Sequence, residues 1–300
     1  MEFNVEIDHL EKTIGKKKII KDLSLNIRKG EVFGLLGPNG AGKTTTIRML
    51  VGLIEITSGS VKICGHDIQT NHKEALENVG AIVENPEMYP FLSGLENLKY
   101  FSRMHPNSSK EKIDNIIEFV NLKGRINDKV KTYSLGMRQR LGIAQSLLND
   151  PKVLILDEPT NGLDPAGIKE LRQYIQTLAH ENDVTVIVSS HLLSEIELMC
   201  DRVAIIKEGE LIAVEDLKAK TNHEQYQIRV SPSEKAQELL LNEYQLPSQT
   251  TGDLLEFQLA APNVEIPDIV KLFVESNLSI YSIQPIKNSL EDRFMNLTMK

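Results

Sequence analysis

A glycine-rich run, Gly37-Pro38-Asn39-Gly40-Ala41-Gly42-Lys43-Thr44, combines unobstructed backbone amides with a fixed cation, the two things a phosphate group needs from a binding loop. Its spacing is that of the P-loop, G-x-x-x-x-G-K-[ST]. Glycines let successive N–H groups converge on phosphate oxygens, and a helix starting at the end of the loop adds partial positive charge. Lys43 is then placed to reach the β- and γ-phosphates of a nucleoside triphosphate. The Thr44 hydroxyl, followed by Thr45 as a further cofactor-binding candidate, is placed to hold Mg²⁺. Chance would produce this pattern in roughly one chain of this length in a hundred, so the flanking elements decide its meaning.

Further along, Val153-Leu154-Ile155-Leu156-Asp157-Glu158-Pro159-Thr160 sets two carboxylates at the end of an apolar run. That is where ligands of an open α/β sheet bind. Asp157 can meet the Mg²⁺ held by Thr44. Glu158, one residue on, is placed to orient or deprotonate an attacking water, which requires a carboxylate within hydrogen-bond reach. Without the preceding P-loop, two acids at a strand end would read as a solvated turn.

Both runs need a rigid frame. Val32 to Leu36, Val153 to Leu156 and Val184 to Val188 are short apolar stretches, each followed by helical periodicity, the pattern of a parallel sheet covered on both faces. A helix with Ile47, Leu50, Val51 and Ile54 on one face is expected to leave the P-loop. Ahead of it, Phe3, Val5, Ile7 and Leu23, Leu25, Ile27 alternate with polar residues as half-buried antiparallel strands do, with Lys16, Lys17 and Lys18 in a solvated turn between them. Between Glu84 and Pro151 the strand signal gives way to helical stretches, Ile113 to Val120 and Leu135 to Leu148, so a helical insertion is expected over about residues 85–150.

The expected fold class is therefore α/β, with a first domain over 1–220 and a small α+β domain over 221–300. The latter reads as a strand through Tyr226, Ile228 and Val230, a helix from Ser233 and a polar stretch from Gln245 to Asp253. A strand through Leu255, Phe257 and Leu259 follows, then a helix through Ile266, Val270 and Phe273, a strand at Leu278 and Ile280, and a final helix capped by Ser289. No internal repeat is apparent.

Composition narrows the function classes. The longest apolar runs fall far short of the ~18–20 residues a membrane helix needs, and the acidic N-terminal stretch with Glu2, Glu6 and Asp8 has no apolar core of a secretion signal, so an intracellular chain is expected. A net charge of -8 argues against a nucleic-acid partner bound through counterion release. Cys64 and Cys200 stand far apart with no second metal-ligand type at suitable spacing, and read as small reduced buried thiols.

Ahead of Asp157, the run Tyr133-Ser134-Leu135-Gly136-Met137-Arg138-Gln139-Arg140-Leu141 resembles the signature of ATP-binding cassette (ABC) ATPases. Alone it would be an ordinary helix capped by Ser134, whose N-terminus is an anion site. Ordered between the P-loop and the acidic strand, it is specific to that family. Asn161-Gly162-Leu163-Asp164 resembles the family's D-loop, Ser189-Ser190-His191 its switch histidine, and Asp201-Arg202-Val203 its following segment. The resemblance covers residues 1 to about 220.

It implies a P-loop NTPase cassette with a mostly parallel core sheet, an antiparallel N-terminal β subdomain and the helical insertion. ATP and Mg²⁺ are the implied cofactors, with Glu158 and His191 catalytic. Ser134 and Gly136 are implied to contact ATP held by a second copy of the chain, and a separate integral membrane permease is the implied partner, leaving the chain peripheral on the cytoplasmic face of the membrane. Tyr89, Phe91 and Leu92 are candidates either for that permease contact or for core packing. The rival class, a soluble ABC ATPase acting on ribosomes or nucleic acid, resembles fused cassette pairs or cassettes split by long coiled coils, unlike this chain.

Several positions depart from the family pattern. Ile14 falls where an aromatic residue stacks on adenine. Introducing the ring with Ile14→Tyr is expected to tighten ATP binding by about 1 kcal/mol and to widen the preference for ATP over GTP, as read by paired nucleotide titrations. A preference that does not grow would show that this position never meets the base. Glu84, in Val83-Glu84-Asn85-Pro86, replaces the Q-loop glutamine. An ionised carboxylate offers only acceptors, so Glu84 is expected to sense Mg²⁺ while adding negative charge. Leu135 and Met137 replace Gly and Gln of the signature. Together with Ser289-Leu290-Glu291-Asp292-Arg293-Phe294, these features are similar to those of bacterial bacitracin and lantibiotic exporters.

Overall fold

A computed structural model describes residues 2–105, 109–218, 224–259 and 264–286. It divides into two compact units, one running through Lys218 and the other from residue 219 to 296.

The first unit opens with two long strands, β1 (Phe3–Ile14) and β2 (Lys17–Arg28), paired antiparallel with Ile7 opposite Leu25 and Ile14 opposite Lys17. β3 (Val32–Leu36) leads through the glycine loop to α1 (Lys43–Leu50), followed by β4 (Ser58–Ile63), β5 (His66–Asp67), α2 (His72–Leu76) and β6 (Val79–Ile82). The inserted helices are α3 (Gly94–Ser102), α4 (Lys110–Phe119) and α5 (Leu135–Ser146). The chain then returns to the sheet as β7 (Val153–Leu156), α6 (Pro165–His180), β8 (Thr185–Ser190), α7 (Leu193–Met199), β9 (Arg202–Lys207) and β10 (Glu210–Asp216).

The central sheet has the order β10-β9-β3-β8-β7-β6. Its neighbours run parallel except β10, which folds back antiparallel on β9 at the edge. Every residue of β3, β7 and β8 is buried, which is why these strands are continuously apolar or end in small hydroxyl residues. The second sheet, β2-β1-β4-β5, is antiparallel and turns Val5, Ile7, Leu23, Leu25 and Ile27 into one core with Ile47, Leu50, Ile155 and Ile187. That shared core fixes α1, and with it the phosphate loop, against both sheets.

Three sequence expectations are corrected here. The helix after the loop ends at Leu50, because Gly52 (φ 68) reverses the chain and Leu53 N–H returns to the Arg48 carbonyl, so Ile54 lies outside the helix. The third apolar strand starts at Thr185, leaving Val184 half-buried before it. Of the two thiols, Cys64 is half-buried rather than buried. Burial pushes the Cys200 thiol well up, which keeps it protonated and inert.

The second unit comprises β11 (Glu224–Ser231), α8 (Ser233–Tyr244), β12 (Ser248–Thr251), β13 (Leu254–Leu259), α9 (Ile266–Glu275) and β14 (Ser279–Ile286). Its sheet order β12-β13-β11-β14, antiparallel throughout, makes it a split βαβ arrangement. Ile228, Val230, Leu240, Leu255, Phe257, Ile269 and Phe273 form a core of its own. The polar stretch from Gln245 to Asp253 contains an edge strand, β12, which sequence reading leaves out. The helix expected after Ser289 lies outside the described residues. Among the described residues no helix is long and apolar enough to cross a membrane.

Candidate active site

The loop between β3 and α1 is tightly specified by its surroundings. A Cβ on Gly37 would stand 2.3 Å from the Ile206 carbonyl oxygen, and Gly42 holds φ 110 with Ile20 close beside it, so neither position tolerates a side chain. Pro38, Asn39 and Gly40 are exposed at the loop's tip, whereas Ala41, Gly42 and Lys43 are buried. The Lys43 side chain is only 5% exposed; its ammonium donates to the Gly37 carbonyl at 2.8 Å and lies 3.3 Å from Glu158 Oε1.

The acidic strand end faces this loop. The Thr44 hydroxyl lies 3.3 Å from Asp157 Oδ1, and Asp157, 2% exposed, also accepts from the Ser189 hydroxyl at 2.6 Å. Ser189 in turn accepts from the Glu158 N–H at 2.8 Å, so one hydroxyl from β8 holds the Asp157 carboxylate and the Glu158 backbone just past the end of β7. Glu158 sits at φ 48, a conformation that non-glycine residues adopt rarely and that concentrates at functional sites. Its second oxygen, Oε2, meets His191 Nδ1 at 2.7 Å. Lys43, Glu158 and His191 therefore form one connected chain of polar contacts, with Thr44 and Asp157 beside it.

Glu84 follows β6 with φ 67 and forms an ion pair with Arg48 of α1. Thr45 is half-buried on α1. Ile14 ends β1 at 55% exposure, open to a ligand. Ser134 caps α5, accepting from Met137 N–H at 3.2 Å. It lines a separate cleft of about 380 Å³ with Gly136, Gln139, Gly162, Leu163 and Asp164. Among the described residues, no hydrogen bond or ion pair connects Ser134 or Gly136 to the phosphate loop of the same chain.

Beside Glu84, a groove lined by Val83, Asn85, Pro86, Phe101, Met104 and His105 runs between β6 and the inserted helices. Tyr89 and Phe91 are exposed beside it and Leu92 is half-buried, so surface placement rather than core packing holds for the two aromatic residues. Tyr89 packs its ring on those of Phe91, Tyr100 and Phe101.

Two participants escape sequence reasoning. Ser189 was visible only as part of a resembling motif, with no role attached. Arg48 carries a local signal, since it lies four residues after Thr44 and hence on the same helix face.

A hydroxyl–carboxylate pair next to a phosphate cradle, with a second carboxylate held by a cation and an imidazole, can bind a nucleoside triphosphate and attack its terminal phosphate with water. The comparisons agree with that chemistry. The ABC transporter family profile matches residues 20–161. The ABC transporter ATP-binding protein YhcH of Bacillus subtilis is 54% identical over 98% of this chain and 95% of its own length. The bacitracin transport ATP-binding protein BcrA of Bacillus licheniformis is 41% identical, covering 98% of this chain and 96% of its own. Among solved structures, the dimeric post-hydrolysis state of an ATP-binding cassette bound to ADP and Pi superposes with TM-score 0.64 at 25% identity, over 72% of this chain and 99% of that one.

The chain belongs to the ABC transporter family. Within it, it is an ATP-binding subunit: a P-loop ATPase whose hydrolysis serves transport.

Proposed function

We propose that two copies of this chain close on two ATP molecules to drive a separate membrane permease that exports peptide antibiotics. The observation that carries the catalytic part is the convergence of Lys43, Glu158 and His191 at 3.3 and 2.7 Å on one side of the loop, with Thr44 and Asp157 adjoining. Gly37, Pro38, Asn39, Gly40, Ala41, Gly42, Lys43, Thr44 and Thr45 bind the triphosphate of ATP. Glu158 takes the proton of the attacking water, and His191 holds that carboxylate and faces the γ-phosphate.

The donor set suits Mg²⁺, a hard cation that takes one or two carboxylates with hydroxyl, water and phosphate oxygens. Thr44 and Asp157 would hold it directly, and Glu84 would sense it from the edge. Bound there, Mg²⁺ would offset negative charge on the β- and γ-phosphate oxygens. Ser134 and Gly136, at the start of α5 and with no link to their own loop, serve the ATP of the second copy. This is the role their exposed helix N-terminus suits. Loss of the γ-phosphate removes the charge that holds the two copies together.

ATP chemistry falls within residues 1–220, with 221–300 an accessory domain. The permease is taken to rest in the groove beside Glu84, where Phe91 is 64% exposed. The cargo follows from the relatives named for bacitracin and lantibiotic transport. Such a partnership places the chain on the cytoplasmic face of the membrane. Detergent extraction from cells is expected to recover the tagged chain with a protein carrying several membrane-spanning segments, and its deletion to lower tolerance of bacitracin-like peptides. Recovery with ribosomes or DNA instead would overturn this reading in favour of the soluble class.

A further inference from the structure

Glu84 is the residue that most changes the charge of this site, and its partner is placed with some economy. Thr44 and Arg48 lie four positions apart on α1, so they share one helix face, about one turn apart. Thr44 turns that face toward Asp157. Side chains on a helix tilt toward its N-terminus, which directs Arg48 back toward the same locus. Its guanidinium pairs with the Glu84 carboxylate, which the left-handed backbone at Glu84 (φ 67) brings to α1 from the end of β6.

Resting on the reading that Glu84 serves Mg²⁺, we propose that Arg48 is the counter-ion of Glu84 and competes with the cation for it: the guanidinium holds the carboxylate when Mg²⁺-nucleotide is away and yields it when Mg²⁺-nucleotide is bound. Two consequences of charge make the arrangement useful. A free third carboxylate near Asp157 and Glu158 would repel an incoming triphosphate, and Arg48 cancels it. A divalent cation attracts Glu84 more strongly than a single guanidinium does, so Mg²⁺ can take the carboxylate from Arg48. The pair is exposed, at 42% and 59% for the two side chains. Pairs of that kind shift an equilibrium by no more than about fivefold, which is weak enough for Mg²⁺ to open. Arg48 is thus a positioning residue, and a glutamine at position 84 would have no need of it.

The test uses the full-length chain and a fluorescent analogue of ATP, titrated at fixed nucleotide over a series of free Mg²⁺ concentrations, with an EDTA series alongside. Arg48→Gln is expected to lower the Mg²⁺ midpoint about two- to fivefold and to weaken affinity in EDTA, where the uncovered carboxylate faces the triphosphate with no cation to offset it. Arg48→Lys, which keeps the charge, is expected to stay near the wild-type midpoint. Glu84→Gln is expected to raise the midpoint, and Arg48→Gln added to it to change nothing further, since no carboxylate remains to be held. A midpoint that rises or does not move in Arg48→Gln, or the same fall in both backgrounds, overturns the counter-ion role while leaving Glu84 as a metal-sensing residue. An unchanged midpoint in Glu84→Ala, which leaves no metal-ligating oxygen on the side chain, removes Glu84 from Mg²⁺ altogether, and the role of Arg48 with it.

Discussion

Exchange of Glu158 for glutamine is expected to slow ATP turnover by about 10²- to 10⁴-fold, the usual contribution of a positioned general base, while nucleotide binding survives. The substitution keeps the shape of the side chain but removes both its negative charge and its ability to accept a proton. Its neighbours show why binding should persist. Glu158 Oε1 lies 3.3 Å from the Lys43 ammonium, where it competes with phosphate for the same cation, so a neutral amide leaves Lys43 freer to meet ATP. Phosphate release measured beside equilibrium titration separates the two effects. Turnover within tenfold of the wild type would take Glu158 out of the role of base and leave the water to be activated by the substrate itself.

Lys43→Ala acts on the other side of that balance. Hydrogen bonds to charged groups are worth about 1.5–3 kcal/mol each, so losing this one is expected to weaken ATP binding roughly ten- to a hundredfold. The effect should depend on the ligand. AMP, which lacks the β- and γ-phosphates, is expected to bind wild type and variant alike, whereas a general collapse of the loop would weaken both nucleotides. Some loss of thermal stability should accompany the change, because the side chain is buried and the Gly37 carbonyl and Glu158 both lose their partner. A variant that binds ATP as the wild type does would place the triphosphate elsewhere.

The parts of the fold that could be read from sequence are those whose burial is local. Val32 to Leu36 and Val153 to Leu156 are apolar because both faces of those strands are covered, and no knowledge of their neighbours is needed to see it. β6 is harder: four residues containing Gly80, whose lack of a side chain makes room for the Ser146 carbonyl of the inserted helix α5. β12 is harder still, since Ser248 to Thr251 carry no apolar residue and become a strand through pairing with β13. Ile54 fits the period of the helix after the loop and so extends it on paper, while the reversal at Gly52 is a matter of backbone conformation.

The candidate site divides along the same line. Lys43 and Thr44 stand in one contiguous motif and Asp157 and Glu158 in another, so their chemistry is legible from spacing. The Ser189 hydroxyl that joins the two acids reaches across 32 positions to Asp157, and the Arg48–Glu84 pair spans 36. Neither separation leaves a pattern in a single sequence. Ser134 stands between these cases, since its helix cap is readable but its part in a site is suggested only by family likeness.

The lysine of the loop is not a bare cation awaiting a ligand, because a carboxylate tethered to the same molecule already occupies its side. Orthophosphate, abundant in any growing cell, would have to evict that tethered group with a single phosphoryl unit, against an effective concentration that free ions seldom match. A triphosphate meets the same obstacle with several oxygens along the whole cradle. The Lys43–Glu158 contact therefore weighs more heavily against a lone phosphoryl unit than against a triphosphate.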